Sequence, residues 1–249
     1  MKKIAIIQTR MGSTRLPGKV MKIIMGKPVI EHVVNRVKAA KEIDDIIIAT
    51  TTKKEDDIIV EEAKKLNVKY FRGSEDDVLS RYYYAAKENN ADIVIRITSD
   101  CPLIDPKIID KIIKTFIEIS KKEKIDYLSN TIERTYPRGL DVEVFTFETL
   151  EKAFKEADKP YQREHVTPYI YENPGIFKIK QFKNDVDYSN YRWTLDTVED
   201  FEFIKIIYKN LYKEKELFYM EDILKFQEEH PEITKINEKV KQKSYLSNQ

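Results

Sequence analysis

Ile4-Ala5-Ile6-Ile7, followed without a break by Gln8-Thr9-Arg10-Met11-Gly12-Ser13-Thr14-Arg15-Leu16-Pro17-Gly18-Lys19, is the stretch that decides the fold. Four consecutive apolar residues bounded by polar ones read as a strand buried on both faces, as in a parallel sheet covered by helices. The Gly-, Ser-, Thr- and Pro-containing segment after it is then a loop at the strand's carboxyl end, where open α/β sheets bind ligands. The alternation continues outward. Helices are predicted over 28–40, 55–66, 76–89 and 106–120, and strands over 46–49, 68–71 and 93–97. On the first helix Ile30, Val33, Val34 and Val37 share one face. This succession predicts an α/β fold, a three-layer αβα sandwich around a mostly parallel central sheet.

The second half is less regular. Strands are expected at 142–145, 177–180 and 192–195, and helices at 147–156, 162–171, 198–212 and 221–229, before a polar, weakly specified tail after Glu232. Neither a flexible linker, an internal repeat nor a low-complexity segment breaks the chain. The expectation is one domain over 1–249, with an irregular region at about 127–190 near the sheet's edge.

The 249 residues carry 44 Lys+Arg and 43 Asp+Glu, a formal net charge of +1. Near-neutrality argues against a general nucleic-acid binder, which needs surplus charge to neutralise phosphates. With 41% hydrophobic residues, a substantial core is affordable, and 35% charged residues of balanced sign give a solvated surface rather than disorder. No apolar run reaches membrane-helix length, and Lys2-Lys3 precede only four apolar residues, so neither membrane insertion nor a signal peptide is expected. A single cysteine, Cys101, excludes an intramolecular disulfide and a multi-cysteine zinc site. These features point to a cytoplasmic enzyme or small-molecule binder.

The loop's chemistry suits a triphosphate. Arg10, Arg15 and Lys19 supply positive charge, Ser13 and Thr14 supply hydroxyls, and Gly12 and Gly18 permit close backbone approach. It is not a Walker A loop, which has four residues between Gly and Gly-Lys. Here five residues separate Gly12 from Gly18, and Val20 follows Lys19. The dinucleotide pattern G-x-G-x-x-G is absent too. Only 10 of the 44 basic residues are arginine. Because guanidinium grips phosphate or carboxylate bidentately, arginines in a lysine-biased chain mark positions worth inspecting.

The run Arg10 to Lys19 resembles the signature of the sugar-nucleotide cytidylyltransferases, which include the synthetases of CMP-3-deoxy-manno-octulosonate and CMP-N-acetylneuraminate. Further matching stretches are Phe71-Arg72-Gly73-Ser74, Thr98-Ser99-Asp100-Cys101-Pro102-Leu103-Ile104-Asp105, Tyr136-Pro137-Arg138-Gly139-Leu140-Asp141, Arg163-Glu164-His165-Val166-Thr167-Pro168-Tyr169 and Arg192-Trp193-Thr194-Leu195-Asp196-Thr197. They occur in the family's order, and the chain is most similar to the spore coat polysaccharide biosynthesis protein F branch. The resemblance implies a nucleotide-diphospho-sugar transferase-like fold. It also implies CTP as substrate, Mg²⁺ as cofactor, and often a homodimer, with the region at about 127–190 expected to serve acceptor binding and dimerisation.

On that resemblance Asp100 and Asp196 match the family's metal-binding aspartates. Both are expected at strand carboxyl ends, where hard oxygen ligands could hold Mg²⁺ on a triphosphate. An N-cap role is the other reading of Asp196. Arg10, Gly12, Ser13, Thr14, Arg15, Lys19, Arg72, Ser74 and Asp100 are the expected nucleotide contacts, with Arg15, Lys19 and Asp100 catalytic. For Arg72 and Ser74 a helix cap near Asp76 competes. Arg138, Asp141, Glu143, Arg163, His165 and Arg192 are expected on the acceptor side, with surface ion pairing the alternative for the arginines and a helix cap the alternative for His165. Cys101 reads as a small buried hydrophobe. The pair Asp185/Asp187 reads as a solvated loop rather than a glycosyltransferase D-x-D motif. The expected reaction is transfer of CMP from CTP to a hydroxyl of an acidic sugar, with loss of pyrophosphate, in surface polysaccharide or glycoconjugate biosynthesis. A glycosyltransferase of the same fold and a non-catalytic CTP-binding protein are the alternatives.

Overall fold

In the computed structural model, which describes residues 1–242, the opening apolar run is strand β1 (Lys3–Gln8), in the interior of a seven-stranded sheet. A small hairpin follows, β2 (Ile23–Ile24) with β3 (Lys27–Pro28), outside that sheet. The other strands are β4 (Asp45–Thr51), β5 (Lys69–Gly73), β6 (Ile93–Thr98), β7 (Tyr127–Ser129), β8 (Glu143–Thr146) and β9 (Ile179–Gln181). Their order is β5-β4-β1-β6-β8-β7-β9. Neighbours pair in parallel except β8, which runs against both β6 and β7.

The helices are α1 (Val29–Lys38), α2 (Asp57–Lys65), α3 (Val78–Glu88), α4 (Pro106–Ser120), α5 (Phe147–Glu156), α6 (Pro160–His165), α7 (Pro168–Tyr171), α8 (Val198–Leu211) and α9 (Met220–Glu229). Period-two alternation divides β1 between two cores. Ala5 and Ile7 face a cluster containing Val33 of α1, Ile59 of α2, Ile109 of α4 and Ile204 of α8, whereas Ile4 and Ile6 face Leu79 and Tyr82 of α3 and Leu150 of α5. The sheet is therefore the middle of three layers. No helix among the described residues is long and apolar enough to cross a membrane.

This order positions the site. From β1 the chain steps outward to β4 and β5, then returns to place β6 on the other side of β1. The connections after β1 and β6 consequently diverge and leave a crevice at the carboxyl edge.

Three expectations change. The predicted strand at 192–195 makes only an isolated bridge, Arg138 with Arg192. Its backbone crosses the sheet's carboxyl edge, where Trp193 N–H donates to the Arg138 carbonyl at 2.7 Å and Leu195 N–H to the Asp100 carbonyl at 2.8 Å. The predicted helix 162–171 is broken into α6 and α7. Val166 between them has φ 73°, Thr167 N–H bonds back to the His165 carbonyl, and Pro168, lacking an N–H, opens the new helix. Region 127–190, read as irregular, supplies three of the seven strands, and β7 had no signal because three residues are too short for a period. Gly139 sits where the 138–140 turn crosses segment 192–195. Its φ is 109°, and a Cβ there would lie 2.6 Å from the Trp193 carbonyl carbon. Gly139→Ala is expected to cost about 2 kcal/mol or more, measured as a lowered urea midpoint with unchanged slope.

Candidate active site

The loop after β1 is held from below. Asp56, buried before α2, accepts Met11 N–H at 2.8 Å with one carboxylate oxygen. Its other oxygen takes the Thr50 hydroxyl at 3.0 Å and Thr51 N–H at 3.1 Å at the end of β4. Met11's carbonyl then accepts Ser13 N–H and Gly18 N–H, which folds 11–18 back on itself. Gly18, expected to offer its N–H to a ligand, uses it inside the loop and supplies a left-handed φ of 64° before Lys19.

That turn sends Lys19 across the crevice. Its ammonium lies 3.2 Å from Asp100 Oδ2 and 2.9 Å from Asp196 Oδ1, and it donates to the Leu195 carbonyl at 2.8 Å. Asp100 follows β6 directly. Asp196 reaches the same point because Leu195 N–H and the Thr194 hydroxyl both bond to the Asp100 carbonyl. Asp196 is not the N-cap of α8. Thr197 is, in a capping box with Asp200, which leaves the Asp196 carboxylate to the crevice. Arg15 approaches Asp196 Oδ2 at 2.9 Å. Burial works to lower the Lys19 pKa, but the Asp100 and Asp196 charges outweigh it and hold the ammonium above the ordinary lysine value. Burial likewise works to raise Asp100, and the Lys19 charge with the Thr98 hydroxyl overturns it, so the carboxyl stays below its ordinary range. Both groups are charged at neutral pH.

A cavity of about 1050 Å³ opens over this cluster. Arg10, Gly12, Ser13, Thr14, Arg15, Lys19, Asp100 and Asp196 line it together with Arg138, Asp141, Glu143 and His165. Burial lowers the His165 pKa, so its imidazole is neutral at pH 7. Arg134 grips Asp141 with two bonds, and Arg96 pairs with Glu143, whose other oxygen accepts the Tyr127 hydroxyl at 2.6 Å. Arg138 has no carboxylate within ion-pair distance among the described residues. Burial and the neighbouring Arg134 and Arg192 hold its pKa below the ordinary arginine value.

Four expected contacts stand outside the lining. Arg72 is turned away to Asp57 at 2.7 Å and to the Thr51 and Lys53 carbonyls. Ser74 accepts Asp77 N–H, the start-of-helix alternative, while Asp77 caps α3. Arg163 clamps Asp77 through Nε at 3.0 Å and a second bond, tying α6 to the start of α3. Arg192 is 8% exposed, forks onto the fully buried Asp200, and also touches Asp196 Oδ2 at 3.0 Å. Asp187 accepts Ser189 N–H in a surface turn, and Cys101 is buried with its thiol pKa raised.

Sequence reasoning missed Arg81, Arg96 and Arg134, all in the cavity wall. The buried side-chain atoms without a hydrogen-bond partner among the described residues are Gln8 Oε1, Thr9 Oγ1, Arg81 Nε and Arg96 Nε, and all four residues line the cavity. Buried polar atoms ordinarily find partners, so this concentration points to a polar ligand. The scarcity of arginine was the one signal that could have found the three.

A family model described as cytidylyltransferase matches residues 4–249. An uncharacterized protein of Methanocaldococcus jannaschii is 44% identical over 249 residues, covering 98% of each chain. The spore coat polysaccharide biosynthesis protein SpsF of Bacillus subtilis is 33% identical over 211 residues, covering 82% of this chain and 85% of that one. Among solved structures, a cytidylyltransferase from Leptospira borgpetersenii superposes with TM-score 0.89 at 38% identity, over 98% of this chain and all of that one. A CMP:2-keto-3-deoxy-manno-octonic acid synthetase complexed with CTP shares the fold, with TM-score 0.66 at 19% identity, over 85% of this chain and all of that one.

Arg192 separates a structural tie from an acceptor contact. Arg192→Ala leaves the Asp200 carboxylate buried without its guanidinium and is expected to cost about 3–5 kcal/mol of stability. Equilibrium denaturation checks it; a loss near zero would return Arg192 to the acceptor side.

Proposed function

The chain belongs to the cytidylyltransferase family, and on that premise we propose that it transfers CMP from CTP to a hydroxyl of an acidic sugar or related acceptor, releasing pyrophosphate. The observation that carries this reading is the sharing of Lys19 between Asp100 and Asp196 beneath a loop bearing Arg10 and Arg15, in one cavity large enough for two substrates. The nucleotide lies on the loop side. Arg15 and Lys19 neutralise charge that develops on the β,γ-phosphates as pyrophosphate leaves, which is preorganised electrostatic stabilisation. Arg81 and Thr9, with unpartnered polar atoms and a common neighbour in the Ala49 carbonyl, form the polar floor for the base or ribose.

Asp100 and Asp196 fit a divalent metal by the chemistry of their donors. They are hard carboxylate oxygens already gathered around one cation, the Lys19 ammonium. Mg²⁺ is commonly held by one or two carboxylates together with substrate phosphates. When bound there it would withdraw charge from the phosphates. The remaining work is positioning: the acceptor hydroxyl is aligned against the α-phosphorus by the far wall of the cavity. Arg138 on that wall, without a carboxylate at ion-pair distance among the described residues, supports an acceptor bearing an anionic group. SpsF, by its name, acts in spore coat polysaccharide biosynthesis. We place the present chain in a comparable surface-glycan route, in the cytoplasm where CTP is made.

The test is product identity. With CTP, Mg²⁺ and an acidic sugar, pyrophosphate is expected, and Asp100→Ala should lower its release about a hundredfold or more. Turnover only with a nucleotide-sugar and release of a nucleoside diphosphate would replace this reading with glycosyl transfer. Arg138→Ala should raise KM for the acceptor and leave KM for CTP nearly unchanged.

A further inference from the structure

Lys19 holds two posts that exclude each other. Its ammonium has three donors, and its three close partners are Asp100, Asp196 and the Leu195 carbonyl. So placed, it has no donor left for a phosphate. Arg15 is in the same position in part, since its guanidinium rests on Asp196 Oδ2. The charges balance within this small group. Two carboxylates meet one ammonium and one guanidinium, while Arg192 is matched by Asp200. Among the described residues, no three His, Cys, Asp or Glu side chains converge on a point that could hold a metal. The protein alone thus offers a cation two carboxylates, and a lysine already stands between them.

We propose that Lys19 is a resident stand-in for the divalent metal, holding Asp100 and Asp196 together until nucleotide arrives, and that metal and nucleotide therefore bind as a coupled pair. The inference rests on the CTP-dependent reading of this site. A metal entering alone must displace an ammonium from both carboxylates, while the other acids of the cavity, Asp141 and Glu143, are already paired with Arg134 and Arg96. A triphosphate entering alone finds Lys19 and Arg15 engaged. Entering together, each releases what the other needs: the phosphates take the ammonium and the guanidinium, and the metal takes the carboxylates. Such coupling is reciprocal by linkage.

The measurement is Mn²⁺ binding, followed by electron paramagnetic resonance of the free ion, on the full chain. Without nucleotide, the wild-type protein is expected to bind Mn²⁺ weakly. Lys19→Met should bind it about tenfold tighter or more, and Lys19→Met combined with Asp196→Asn should lose that gain. With a non-hydrolysable CTP analogue, Mn²⁺ and analogue should strengthen each other by the same factor in the wild type, and that factor should be smaller in Lys19→Met, which keeps only the part that direct metal–phosphate contact supplies. Thermal denaturation establishes that each variant is folded. If Lys19→Met is not folded, Lys19→Gln, which keeps donors without the charge, makes the same comparison. Equal nucleotide-free Mn²⁺ affinity in folded wild type and variant overturns the proposal. That comparison needs no nucleotide, so it is distinct from a failure of the cytidylyl-transfer reading, which would show as no binding of the analogue at any Mn²⁺ concentration.

Discussion

The contact of one ammonium with two carboxylates governs the carboxyl edge of this sheet. Lys19, Asp100 and Asp196 are far apart in sequence, and each reaches the crevice by a different device. Lys19 arrives by a left-handed turn at Gly18, Asp100 by the end of β6, and Asp196 by a segment whose backbone leans on the Asp100 carbonyl. None of the three could be ionised in a closed interior without the others, because an isolated buried charge costs far more than a paired one. With Arg15 on Asp196 the two carboxylates meet two cations, and that balance allows a charged cluster to sit beside the apolar layer formed by Ile7, Ile97 and Leu195.

Around that cluster the arginines are nearly all matched. Arg96 is paired with Glu143, Arg134 with Asp141, Arg163 with Asp77 and Arg192 with Asp200. These pairs fasten strands to loops and helices to one another: β6 to β8, α6 to the start of α3, and segment 192–196 to α8. Arg96 and Arg134 give the cavity wall oriented guanidinium groups rather than mobile charge, which suits a planar, forked donor better than lysine, while Arg163 and Arg192 brace the elements from outside the lining. Among the described residues Arg138 and Arg81 line the cavity without a carboxylate at ion-pair distance, and Arg81 donates instead to the Ala49 carbonyl. The unpartnered atoms of Gln8, Thr9, Arg81 and Arg96 lie on the same cavity. The protein's unsatisfied polarity is therefore concentrated where substrates would supply the partners.

Much of this was legible in the linear chain, for identifiable reasons. Ile4–Ile7 announced a buried strand because four apolar residues in a row need cover on both faces, and both cores indeed meet on β1. The composition of the following segment marked it as a loop at the strand's carboxyl end, and it lines the cavity there. The aspartates of Ser99-Asp100-Cys101 and Leu195-Asp196-Thr197 stood out by resemblance, and the structure brings both to Lys19. The arginines were harder. Their scarcity marked them, but residue type cannot say whether a guanidinium faces a ligand or a neighbouring carboxylate. Arg163 and Arg192 were assigned to the acceptor side, yet they grip Asp77 and Asp200, partners separated from them in the first case by 86 residues.

Sequence alone determined the layer order, the mostly parallel frame and the place of the loop after β1, because hydrophobic periodicity and loop composition are local properties. Only the tertiary structure decided which charges meet. It set Lys19 between two aspartates, turned Arg72 outward, broke the helix at Val166, and left Arg138 without a carboxylate partner among the described residues. Those outcomes depend on distances between segments that are remote in the chain, and a charge's role follows from the sign and distance of its neighbours in space.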